Sequence, residues 1–331
     1  MWPAPWPRRP QIHRALLIAG LGARDHADAI RAFVRRHHMP AMVTYKAKGV
    51  IPDRDAWFAG VFTNGALEQE LLNEADAVIA VGLDRVELLP RPWTPPQMVF
   101  DIADDIEASL ALMAEPVKQS TWDLEALQRT LAMQRHRLIE SSRSSRGLAP
   151  ADVIRIASDA LPDARVTVDA GAHMFPATLL WPIAEPNGML ISNGLSTMGF
   201  ALPAAIGAAL VDGERPVVAL TGDGGLLMCA GELLTIVRER LRVVVIVFND
   251  RALSLIDVKQ RQRQFARDGV ALGEVRWTAV AEGVGLTSYC ATNADELERS
   301  LGLALASGGP ALVDVAVDPS SYAAMLQVVR G

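Results

Sequence analysis

The stretch Val217-Val-Ala-Leu-Thr-Gly-Asp-Gly-Gly225 decides the fold of this chain. Its uncharged, branched-rich opening reads as a buried strand, and the strand ends in a carboxylate held between glycines. The 24 residues from Gly225 to Phe248 are enough for one helix and a return strand, after which comes Asn249-Asp250. This is one βαβ unit. A right-handed crossover places Asp223 and Asp250 at the carboxyl ends of parallel strands, where open α/β sheets bind ligands. A hard octahedral cation such as Mg²⁺ takes one or two carboxylates there and completes its shell with phosphate oxygen, backbone carbonyl and water. Gly222, Gly224 and Gly225 leave room for backbone N–H groups to approach a phosphate, and the following helix would add its positive N-terminal end.

Outward from this unit, short apolar runs bounded by turn residues alternate with segments of helical apolar spacing, in two blocks. The alternation predicts an α/β chain of two Rossmann-like domains with mainly parallel sheets. In the first block the strands are expected at Ala15 to Ala19, Ala41 to Thr44, Ala77 to Val81 and Gln97 to Asp101, with helices near Ala27 to Arg36 and Leu67 to Glu74. In the second they are expected at Arg165 to Asp169, Met189 to Ile191, Val217 to Thr221, Val243 to Phe248 and Ala311 to Val317. Helices at Ala151 to Ala160, Ala201 to Leu210, Gly231 to Glu239 and Ala294 to Ala306 would cover that sheet. Trp122 to Leu138 has helical spacing, and the polar run Ser141 to Gly147 has no apolar stripe to bury. The expected division is therefore a leader at 1–11, a first domain at 12–120, a helical linker at 121–148 and a second domain at 149–331.

The 331 residues are 50% hydrophobic and 21% charged, with a formal net charge of -6. These values give no electrostatic reason for nucleic-acid binding, and no segment reads as a membrane span. The basic run Arg261 to Arg267 reads as a solvated helix face. Two cysteines, Cys229 and Cys290, exclude a disulfide scaffold and fit a reducing cytoplasm, and the proline-rich start has no apolar core of a secretory signal. Taken alone, Met198 reads as a core gap-filler, His173 as either a loop hydrogen-bonder or a phosphate contact, and His37-His38 as surface. Gly20-Leu-Gly22 after the first strand lacks the third glycine of a dinucleotide fingerprint, since position 25 is Asp.

Gly-Asp-Gly at a strand end, then Asn-Asp after a second apolar strand, resembles the thiamine-diphosphate fingerprint. Asp169-Ala-Gly-Ala-His173, Ser192-Asn-Gly-Leu-Ser-Thr-Met-Gly-Phe200, Leu202-Pro-Ala-Ala-Ile-Gly207 and Leu255-Ile256 extend the resemblance, so that residues 149 to 320 are similar to the diphosphate-binding domain of the acetolactate synthase group. The resemblance implies Asp223, Asp250 and the carbonyl of Ala252 as magnesium ligands. It implies that Gly222, Gly224 and Gly225 contact the diphosphate from one side, and Gly171, Ala172 and His173 from the other, with Leu255 and Ile256 lining the site. Met198 matches the bulky residue that holds the cofactor bent, and the carbonyl of Ser196, where relatives often have Gly, would orient the 4′-amino group. These two are the catalytic candidates.

Residues 12 to 120 resemble the family's middle domain through Ala19-Gly-Leu-Gly-Ala23, Tyr45-Lys-Ala-Lys-Gly49, Phe58-Ala-Gly60 and Glu74-Ala-Asp-Ala77. Asp84-Arg-Val-Glu-Leu-Leu89 and Phe62-Thr-Asn-Gly65 replace the segments typical of the flavin-containing members, so FAD is not expected. The resemblance implies a 2-oxoacid decarboxylase or carboligase that works as a homo-oligomer. Its activating glutamate would come from a pyrimidine-binding domain that these residues do not contain, supplied in trans or by another subunit. A CoA-thioester lyase or decarboxylase of the same family, and a catalytically inactive fragment that only binds cofactor, are the alternatives.

Overall fold

A computed structural model of the chain describes residues 12–89, 93, 98–114, 117, 120–192 and 194–331. The leader, Gln97 and Asn193 therefore lie outside the described residues. The chain divides into two units, one running to Met133 and including Ile183–Asn187, the other comprising Gln134–Pro182 and Gly188–Gly331.

The first unit contains β1 (Ala15–Ala19), α1 (Ala27–His37), β2 (Ala41–Val43), β3 (Phe58–Val61), α2 (Gln69–Glu74), β4 (Ala77–Val81), β5 (Met98–Ile102) and α3 (Ile106–Met113). Its five strands form a parallel sheet in the order β3-β2-β1-β4-β5. The central strands β1 and β4 are buried along their whole length, as expected of continuous apolar runs in a parallel sheet. β3 is an addition to the expected set. It is four residues long and carries Gly60 at φ +100, so neither length nor alternation marked it. His37, expected at the surface, is buried against Phe33 with its ring centroid 4.5 Å away, and its pKa is lowered by that burial and by Arg36. The division between the units falls within α4 (Leu124–Ser141).

The second unit contains α5 (Pro150–Ala160), β6 (Arg165–Val168), α6 (Met174–Leu180), β7 (Met189–Ile191), α7 (Ala201–Val211) and β8 (Val217–Gly222). Next come α8 (Asp223–Cys229), α9 (Leu233–Arg238), β9 (Val243–Asn249), α10 (Ser254–Gln262) and α11 (Trp277–Gly283). The chain closes with β10 (Thr287–Ala291), α12 (Ala294–Ser307), β11 (Ala311–Ala316) and α13 (Tyr322–Arg330). Its six parallel strands run in the order β10-β11-β9-β8-β6-β7. The expected α/β class with two parallel sheets is borne out. The core behind the site is built from α7 residues Ala201, Leu202 and Ala205, strand residues Val217, Val243 and Val245, and Trp277, all without solvent exposure.

Three details differ from the sequence expectation. The helix after the glycine turn begins at Asp223 itself and breaks near Cys229, so the crossover carries α8, a short 3-10 turn and α9 instead of one helix at Gly231 to Glu239. α10 ends at Gln262, so most of the basic run Arg261 to Arg267 lies beyond the helix, and Arg261 and Arg267 both pair with the carboxylate of Asp257. β10, at the sheet edge, reads Thr-Ser-Tyr-Cys-Ala and is only half buried, which is why its polar sequence gave no strand signal.

Candidate functional site

β8 and β9 are paired in register from Val217 with Val243 to Gly222 with Phe248. Asp223 therefore starts at the carboxyl end of one strand and Asp250 just beyond the end of its neighbour. Both line one cavity of about 310 Å³, together with Gly171, Ala172, His173, Ser196, Met198, Gly222, Gly224, Gly225, Ala252, Leu255 and Ile256. The structure thus brings every sequence-predicted site residue to one place.

The loops are tied together by backbone donors. The N–H of Arg251 donates to Asp223 Oδ2 at 2.6 Å and that of Gly224 to Oδ1 at 2.7 Å. Asp250 accepts from the Ala252 N–H at 3.1 Å and from the Ser254 hydroxyl at 2.7 Å. Burial raises the pKa of Asp223, and burial with the adjacent Asp223 charge brings that of Asp250 to about 7. Two carboxylates held this way repel one another, and a cation between them would relieve that repulsion. Among the described residues no group of three or more His, Cys, Asp or Glu is arranged to hold a metal by itself. Asp223, Asp250 and Ala252 line the cavity together, and two carboxylates with a backbone carbonyl would suit a hard cation that takes its remaining oxygens from a ligand.

His173 is fully buried, with its ring stacked at 5.0 Å on Phe248 and its pKa lowered to about 4, chiefly by burial. Its Nε2 has no hydrogen-bond partner. A buried polar atom left unpaired in a cavity is the mark of a site whose ligand completes it. The glycine turn has its own requirement: a Cβ on Gly225 would run into the Asp169 carboxylate. Ser196 lies at φ +49, in the left-handed region where glycine is favoured, so its backbone is held in a strained conformation.

Sequence reading missed several contributors. Asp169, quoted only as a motif residue, accepts from the N–H groups of Gly199, Phe200 and Ala201 and from the Thr221 hydroxyl, and so fixes the loop that carries Ser196 and Met198. Ser254, Lys259 and Tyr322 also line the cavity. Tyr322 is buried beside Asp250 and Asp223, its pKa raised well above the ordinary value by burial and by those two charges. No motif signalled it, because α13 follows the fingerprint by seventy residues of unrelated pattern. Cys229 is half-buried, its thiol pushed up to about 11 by burial, and its Sγ lies 3.6 Å from the Gly225 carbonyl.

Residues 169–315 match the family model "Thiamine pyrophosphate enzyme, C-terminal TPP binding domain" and residues 11–106 match "Thiamine pyrophosphate enzyme, central domain". Among similar proteins, the acetolactate synthase of Bacillus subtilis is 28% identical over 92% of this chain and 58% of its own length. The catabolic acetolactate synthase of Raoultella terrigena is 31% identical over 82% and 53%. The acetolactate synthase isozyme 1 large subunit of Escherichia coli is 28% identical over 92% and 58%. The chain thus spans little more than half the length of these relatives. No helix among the described residues is long and apolar enough to cross a membrane. The chain belongs to the thiamine pyrophosphate enzymes, carrying their central domain and their C-terminal cofactor-binding domain, and is distantly homologous over most of its length to acetolactate synthase large subunits.

Proposed function

We propose that this chain supplies the diphosphate- and magnesium-binding wall of a thiamine-diphosphate-dependent 2-oxoacid decarboxylase and carboligase of the acetolactate synthase type. The observation that carries the reading is the meeting of Asp223 and Asp250 at one cavity, beside a buried imidazole with an unused nitrogen. Asp223, Asp250 and the Ala252 carbonyl would hold Mg²⁺, and the cation would neutralise diphosphate charge that the carboxylates alone would repel. His173 is buried, and burial keeps its ring neutral, with the pKa lowered to about 4. A protonated ring would donate to a phosphate oxygen, and the arriving anion would stabilise that second proton.

When bound, the cofactor supplies the carbanion-stabilising chemistry of 2-oxoacid decarboxylation. The chain's own part is to anchor and shape it. Met198 would set the cofactor's conformation by its bulk, and the Ser196 carbonyl would orient the aminopyrimidine. None of the described residues lining the cavity is a glutamate. The carboxylate that assists proton movement on the aminopyrimidine would come from a pyrimidine-binding domain outside these residues, and assistance of that kind is worth ~10²–10⁴-fold in rate.

The test is pyruvate turnover at saturating thiamine diphosphate and Mg²⁺, by the 331-residue chain alone and with a family pyrimidine-binding domain added. Turnover that appears only with the added domain supports the proposal. Substantial turnover by the chain alone would refute the proposed division of labour.

A further inference from the structure

The cavity is lined by two aspartates, Asp223 and Asp250, and by one lysine, Lys259. α10 starts beside the aspartates, where the Ser254 hydroxyl is bonded to Asp250 at 2.7 Å. Lys259 lies five residues on, about 7.5 Å further along the helix axis, and shares the face of Leu255 one turn before it. It still lines the same cavity. Lys259 has no ion-pair or hydrogen-bond partner among the described residues. Asp257, the nearest carboxylate in sequence, is committed to Arg261 at 2.6 Å and Arg267 at 3.0 Å. The other charges felt by Lys259 are cationic, Arg330 of α13 and Arg263, the residue that follows α10. Partial burial, then these two charges, lower its pKa. Lys259 is thus a cation lining the cavity, unpaired among the described residues, in a chain whose net charge is -6.

We infer that Lys259 recognises a second anionic group on the substrate, a distal carboxylate or phosphate that the reaction leaves intact. The inference rests on the cofactor reading above. The carboxylate lost as CO₂ is a poor partner for a fixed cation, because an ion pair there stabilises the ground state against its own departure. A distal anion carries no such penalty, and a partly desolvated lysine without an internal partner gains by meeting one. The substrate class is therefore a 2-oxoacid with an anionic tail.

The experiment uses the full chain with thiamine diphosphate and Mg²⁺, titrated calorimetrically with two probes of similar length, 2-oxoglutarate and 2-oxohexanoate. The expected result is about fivefold tighter binding of the dianion, a preference that 0.5 M salt and Lys259→Met each abolish. Cofactor affinity should be the same in Lys259→Met, which also reports that the variant is folded. Equal affinity for the two probes in the wild-type chain, or a preference that survives in the variant, overturns the inference while leaving the cofactor reading intact. Weaker cofactor binding in Lys259→Met overturns it in favour of a diphosphate contact. Failure of the wild-type chain to bind cofactor removes both.

Discussion

The Thr221 hydroxyl donates to Asp169 Oδ2 at 2.6 Å, joining the last turn of β8 to the residue that follows β6. The same carboxylate receives three consecutive N–H groups, from Gly199 at 3.1 Å, Phe200 at 2.6 Å and Ala201 at 2.7 Å. One buried side chain thus holds both the glycine turn and the loop of Met198.

Asp169→Ala should therefore be costly in two ways. It leaves three amides and a hydroxyl without their acceptor, for which a loss of ~3 kcal/mol or more is expected. It also frees the 196–199 loop, so cofactor affinity should fall with stability. Urea unfolding and cofactor titration of Asp169→Ala and the milder Asp169→Asn measure both. Unchanged unfolding of Asp169→Ala would show that water or a rearranged loop replaces the carboxylate.

His173 predicts a pH dependence. Its folded pKa of about 4 lies below the unfolded value of 6.5, so between these the unfolded chain binds a proton that the folded chain refuses. Stability is full above pH 6.5 and is lost as pH falls towards 4, by about 2 kcal/mol at pH 5. His173→Gln should remove that part of the slope in urea midpoints measured from pH 7 to 5. Diphosphate binding at pH 6 should carry proton uptake, visible as a buffer-dependent enthalpy that the variant lacks. An identical slope in variant and wild type would contradict the assignment.

The first unit should bind no flavin. Glu87 is buried at the carboxyl ends of β1, β2 and β4, where it accepts from the Thr44 hydroxyl at 2.5 Å and the Leu21 N–H at 2.8 Å. The Gly20 turn packs so closely on Gly82 and Leu83 that a Cβ at Gly20 would strike their backbone. These glycines serve contact between two turns, and an internal carboxylate already takes the Leu21 N–H that follows β1. The purified chain should be colourless, and should stay so after incubation with FAD and desalting. Stoichiometric flavin absorbance would overturn this.

Much of this was legible in the sequence because parallel strands are apolar on both faces. β1, β4 and the starts of β8 and β9 stand out as uninterrupted Val, Ile, Leu and Ala runs. β3 and β10 did not, being edge strands with glycine or polar residues. The fingerprint carboxylates were legible because Asp223 and Asp250 follow strands of clear pattern. The supporting groups were not: Asp169 and Tyr322 act through distances across the fold, which local pattern does not encode, and Ser254, four residues after Asp250, reads as an ordinary helix start. Lys259 reads in sequence as one more charge on a polar helix, and only the cavity distinguishes it.

The central claim is that Asp223 and Asp250 bind thiamine diphosphate through a shared cation. It is tested most directly by calorimetric titration of the cofactor into the chain, with Mg²⁺ and with Mg²⁺ removed by chelator, in wild type, Asp223→Ala and Asp250→Ala. The account predicts binding in the wild type with Mg²⁺ and a loss of at least about tenfold on removing either the cation or one carboxylate. Equal affinity with and without Mg²⁺, or in Asp223→Ala, would contradict it.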